Sequence, residues 1–161
     1  MTAMPASRGT GAPPDLLLEF VQVFSRFEYA LKSAGFAQGD ERRVEPDWDE
    51  FAQAIRADFD GVRDPTFVEA VDDLLTQPPK KQILDGEKLG WRSAPPDPKV
   101  SRAEQALLMA RRVRNNLFHG GKRLHDHTED TARDLRLVES ALRILQQCVH
   151  LLRDVRDAYE S

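Results

Sequence analysis

The chain has 161 residues, a single cysteine and a formal net charge of −4. That length suffices for one core without disulfides or a structural metal, and the acidic balance excludes a protein that grips nucleic acid by bulk charge, so any attraction for phosphate must be local. A lone Cys148 fits a reducing compartment, and no stretch approaches the roughly 20 consecutive apolar residues of a membrane span.

Residues 1–14, MTAMPASRGTGAPP, are small, polar and proline-containing, which predicts a disordered arm. They offer no apolar run to a translocon, so a cytoplasmic location is expected. From Asp15 the pattern changes to a single helical domain, residues 15–161. Leu16, Phe20, Val23, Phe24, Phe27, Leu31 and Ala34 recur at helical spacing, and Gly35 stops the run. Glu28 lies at the edge of this stripe, where it reads either as an ordinary border residue or as a partner for an arginine.

Residues 36–46 read as a charged loop. Asp47 then reads as the N-cap of WDEFAQAIRADF, and Asp64 with Pro65 as the start of TFVEAVDDLL, which Pro78 and Pro79 end. Gly86, Gly90, Pro95, Pro96 and Pro98 predict a long irregular connection over residues 80–99.

Ser101 to Glu104 form a capping box ahead of the next helix, with Ala106, Ala110, Val113 and Leu117 as its buried stripe. Leu107, Arg111, Arg114 and Phe118 form the adjacent flank, so Arg114 sits beside the core and needs an acceptor. The last helix is predicted from Thr128 almost to the terminus, uninterrupted by Gly or Pro. It carries two apolar stripes, Leu135/Val138/Leu142/Leu145/Val149/Leu152 and Leu137/Ala141/Ile144/Cys148/Leu151/Val155. Together they exceed the ~100° that packing on one side requires. The helix therefore either lies between helices of its own chain or meets a second copy, and dimerisation through it is expected. With no strand pattern evident, the fold class is all-α, an antiparallel helical bundle.

RVRNNLFHGGK, residues 112–122, concentrates the chemistry. Arg111, Arg112, Arg114, Lys122 and Arg123 make a local basic cluster in an acidic chain. Taken alone, the segment is also an ordinary helix ending, with His119 near the negative end of the dipole and glycine available for a left-handed cap. RNNLFHGG, together with the upstream FSRFEYALKSAGF, resembles the HEPN superfamily. These are small helical proteins, frequent in mobile elements and defence or toxin systems, whose signature is an Arg, a polar residue that is often Asn, and a His a few positions on. Arg114, Asn115 and His119 carry the match sharply, the following Gly and Lys are usual in one bacterial branch, and Glu28 and the long final helix match in outline. Residues 36–99 lie outside those motifs.

The resemblance implies a metal-independent endoribonuclease acting on single-stranded RNA or tRNA as a homodimer, with two copies of the motif facing each other. A cognate antitoxin or a nucleotidyltransferase would be its partner. Arg114, Asn115 and His119 would be catalytic, Arg111, Lys122 and Arg123 would bind substrate, and Glu28 would support them. The residue chemistry is compatible. Cleavage through the 2′-hydroxyl needs a proton acceptor, a proton donor and positive charge on the phosphate, with no cofactor or metal. His125, Asp126, His127 and Glu129 in LHDHTED read as a solvated turn in preference to a metal site. Cys148 reads as a small buried hydrophobe, and His150 as exposed. Three readings stay open: a dimeric HEPN-type ribonuclease, a non-catalytic HEPN module that binds RNA or a partner, and a plain helical dimerisation protein.

Overall fold

The computed structural model describes residues 14–118 and 128–161. Within them the chain is mostly helical: α1 (Pro14–Ser33), α2 (Trp48–Gly61), α3 (Pro65–Thr76), α4 (Arg102–Phe118), α5 (Thr128–Cys148) and α6 (Arg153–Glu160). Two antiparallel pairs interrupt the helices, β1 (Ala37–Gly39) with β2 (Val44–Pro46), and β3 (Lys81–Asp85) with β4 (Lys88–Arg92). The segment expected to be a disordered arm lies outside the described residues, apart from Pro14. Among the described residues no helix is long and apolar enough to cross a membrane.

The caps act as their residue types predict. Asp47 Oδ1 accepts from the Glu50 amide at 3.1 Å, Asp64 Oδ1 from the Thr66 amide at 2.8 Å, and Ser101 Oγ from the Glu104 amide at 3.2 Å. Gly35 ends α1 in the left-handed region, at φ +96°.

The two hairpins correct the expectation of an all-helical chain. In the first, Asp40 Oδ1 ties down the Arg42 and Arg43 amides at 2.8 and 3.2 Å, turning the charged loop back on itself. In the second, Asp85 pairs with Lys88 across Gly86 and Glu87. Gly86 has φ +62° and Glu87 does not enter the positive region, the combination of a type II′ turn. The Asp-Gly step in KQILDGEKLGW is a hairpin signal that the surrounding prolines obscure.

The last helix is also shorter than its lack of Gly or Pro predicts. After Cys148 the amides of His150 and Leu151 reach back only three residues, to Gln147 and Cys148, both at 3.1 Å, and Leu152 is extended at φ −136°. The break turns α6 onto α1, where Val155 is fully buried and the Arg26 guanidinium lies 4.7 Å over the Tyr159 ring. Burial of Val155 and this cation–π contact reward the turn, which no local residue demands.

α5 packs against α1, α3 and α4, and α4 packs against α2 and α3 as well. Leu137, Val138, Ala141, Leu142, Ile144, Leu145, Cys148 and Val149 are all buried in that core. Most of both stripes is thus buried within the chain, the first of the two outcomes they allowed, while Leu135, Leu151 and Leu152 stay partly exposed. At the other side of the core, Phe27 stacks on Trp48 with centroids 5.2 Å apart, and Phe24 and Phe51 join the cluster.

Candidate functional site

The C-terminal half of α4 presents its polar residues on two flanks, each with a different task. On the flank toward α1 and α2, Arg111 lies over the Trp48 ring at 5.7 Å, while Arg114 lies over Phe24 at 5.5 Å and over Phe118 at 4.5 Å. One end of the Arg114 guanidinium, Nη1, donates to Asn115 Oδ1 at 3.2 Å. Among the described residues no carboxylate pairs with Arg114 or Arg111. The acceptor that Arg114 needs is therefore the electron-rich faces of two rings and one amide, which hold the fork in place without neutralising it.

Glu28 does not form the arginine pair that its position allowed. Its Oε2 accepts from Trp48 Nε1 at 3.1 Å and so satisfies the indole of the aromatic cluster. Its influence on Arg111 runs through the tryptophan that both residues touch.

On the opposite flank, the side chains of α4 and α5 hold the segment around the second hairpin by its main chain. Arg112 Nη1 donates to the carbonyls of Pro79 and Ala94 at 3.0 and 2.7 Å, and Asn116 Nδ2 to the carbonyl of Lys80 at 2.9 Å. From α5, Arg133 Nη2 donates to the carbonyl of Pro78 at 3.0 Å. Burial pulls the Arg112 pKa below its usual value, a desolvation that its two carbonyl acceptors offset. Arg112, counted with the basic cluster from sequence, is therefore a fastener and not a free cation.

Between the hairpin and α4 runs an open groove of about 390 Å³, lined by Leu108, Arg111, Arg112, Asn115 and Asn116 of α4 and by Lys81 and Gln82 of β3. Among the described residues it has no carboxylate in its walls, although acids outnumber bases in the whole chain, 27 to 23. Beneath the hairpin lies a small cavity of about 40 Å³ whose walls include Trp91, Leu117, Arg133 and Asp134. Asp134 is a buried carboxylate in this mostly apolar setting.

Of the residues singled out by sequence, Arg111, Arg114 and Asn115 come together at one end of α4. His119, Lys122 and Arg123 lie outside the described residues, as do His125, Asp126 and His127. Among the described residues no group of three or more His, Cys, Asp and Glu side chains converges to hold a metal. Sequence reasoning passed over Lys81, Gln82 and Asn116. The Asp-Gly turn could have brought the first two forward, by converting an irregular stretch into an arm with two defined edges. In comparisons with known proteins, no family model, curated protein or solved structure matches the chain.

Proposed function

We propose that this chain is a HEPN-like helical bundle that cleaves single-stranded RNA without a metal, through a composite site completed by a second copy. The observation that carries the reading is the setting of Arg114. It is held over two aromatic rings, bonded to its neighbour Asn115, unpaired with any described carboxylate, and next to a groove of cations and amides. A buried or half-buried arginine kept only as a structural cation would normally be neutralised by an acid; one kept for a ligand's phosphate retains donors for it.

His119 enters from the sequence, five residues beyond Arg114. The chemistry then requires two such histidines. One takes the proton of the ribose 2′-hydroxyl as that oxygen attacks phosphorus. The other, from a second copy, gives a proton to the departing 5′-oxygen, leaving a 2′,3′-cyclic phosphate and a 5′-hydroxyl. Arg114 forks the non-bridging oxygens as charge builds on them. The Asn115 side chain, whose oxygen already accepts from Arg114, has its amide hydrogens left for the ribose or phosphate. Most of the apolar surface of α5 is already covered by α1, α3 and α4, which puts the contact with a second copy near the motif. Phe118, 51% exposed beside Arg114, is the apolar side chain nearest the site that such a contact would cover. A cognate antitoxin or nucleotidyltransferase partner belongs to the same reading.

The test is cleavage of a labelled single-stranded RNA in excess EDTA. Activity should persist, yield cyclic-phosphate ends, and vanish in His119→Ala with helical content unchanged. Loss on chelation with recovery on adding a divalent ion would defeat the metal-independent scheme, and tight binding without cleavage would leave a non-catalytic RNA-binding module.

A further inference from the structure

We infer that the groove between β3 and α4 is a base-reading subsite, in which Gln82 recognises the edge of one unstacked nucleobase of a single-stranded RNA. The inference rests on the RNA reading above and names what decides sequence preference. The groove's size, about 390 Å³, falls within the range of small-ligand sites. Its chemistry narrows the ligand further.

Leu108, 44% exposed, supplies an apolar wall. Lys81 on one side and Arg111 on the other supply positive charge. Between them stand three amide side chains, two of which already have one end committed. Asn116 uses its Nδ2 on the Lys80 carbonyl, leaving its oxygen, and Asn115 uses its oxygen on Arg114, leaving its nitrogen. Among the described residues Gln82 has neither its donor nor its acceptor end committed. An apolar surface, a donor beside an acceptor, and cations at either side match the face, the edge and the flanking phosphates of a nucleotide. An acidic peptide would satisfy the cations and, through its main chain, the amides, but it brings no planar face to the Leu108 wall, which a nucleobase does. Single-stranded RNA offers its base edges, whereas a duplex hides them in pairs.

Position supports the same assignment. Arg111 and Asn115 belong both to this groove and to the Arg114 end of α4, so a phosphate at Arg114 has its adjoining nucleotide at the groove. The Asn116 bond to the Lys80 carbonyl sits directly before Lys81 and Gln82, fixing their distance from α4. Gln82 is therefore a specificity-determining residue, with no part in proton transfer.

The experiment measures binding apart from cleavage. Four pentanucleotides differing only at the central base, 2′-O-methylated so that no attacking hydroxyl remains, are titrated against the full chain by fluorescence anisotropy. The wild type should discriminate the best from the worst central base by about tenfold or more. Gln82→Ala should collapse that spread to about threefold or less, and Gln82→Glu, isosteric but without the amide donor, should re-rank the bases. Lys81→Ala should weaken all four alike and flatten the salt dependence by about one phosphate contact. Equal binding of the four by wild type overturns the inference, as does a uniform loss in Gln82→Ala or equal displacement of RNA by polyglutamate. If unmodified RNA is cut while the four bind equally, the subsite falls and the ribonuclease reading stands. Base-selective binding without cleavage upholds the subsite and removes the catalytic step.

Discussion

At the scale of single residues, the protein separates arginines by what they are given to hold. Arg112 spends its donors on two carbonyls, whereas Arg114 is held over two rings with one bond to an amide. Replacing Arg114 by Lys keeps the charge over the rings but loses the planar pair of donors. Single-turnover RNA cleavage should fall by about one to three orders of magnitude, roughly 1.4 to 4 kcal/mol of transition-state stabilisation, with thermal unfolding little changed. A Lys variant as fast as the wild type would return Arg114 to a structural role. Glu28 makes the complementary case. Because it accepts from the Trp48 indole, Glu28→Gln retains an acceptor and should shift unfolding by less than about 1 kcal/mol, whereas Glu28→Ala leaves a part-buried N–H unmet and should cost about 1–3 kcal/mol in a denaturant titration. Cleavage should survive both substitutions wherever the fold does.

At the scale of elements, attachment of the second hairpin depends on α4. Arg112→Met removes two hydrogen bonds from a charged donor, each worth about 1.5–3 kcal/mol at most, and nothing else in the described chain reaches both Pro79 and Ala94. Hydrogen exchange should rise across residues 79–94 while α1 and α5 keep their protection. Uniform loss of protection would mean that the hairpin is integral to the core. The same dependence explains what the sequence could disclose. The ranges of α1 to α4 were legible because caps and apolar spacing act within a few residues: Asp47, Asp64 and Ser101 bond their own first turns. The break at residues 149–152 was not legible, since its reason is α1, a distant partner for Val155 and Tyr159. The hairpin stood between these cases, signalled locally by Asp85-Gly86 but secured by side chains from two helices.

At the scale of the whole molecule, one thiol reports on the core. Cys148 has no exposure, and burial pushes its pKa well above the usual thiol range. Thiolate is the reactive form, so modification should wait for the chain to open. A maleimide or disulfide reagent should label the native protein on the order of a thousandfold more slowly than the unfolded one, with the rate following denaturant as global stability does. Rapid labelling without denaturant would show that the α5 end opens by itself. The candidate site was only partly legible at this scale. Residue spacing put Arg111 and Arg114 on one flank of α4, but the groove needs Lys81 and Gln82, about thirty positions earlier, and only the folded chain brings them alongside. The two apolar stripes of the last helix allowed either packing within its own chain or contact with a second copy, and α1, α3 and α4 supply the first.

Arg112, Asn116 and Arg133 hold the second hairpin by main-chain oxygens, at Pro78, Pro79, Lys80 and Ala94. A carbonyl is the same whatever side chain its residue bears, and proline supplies one as well as any other. At those four positions the hold on the arm is insulated from the identity of the side chain. Within the arm itself, Gly86 is tied to its turn by a φ of +62° and Trp91 to the small cavity against α4 and α5, so these two positions remain bound to their residue types. The anchorage of the arm is thus set by the path of its main chain at both ends, and not by the side chains those four residues carry.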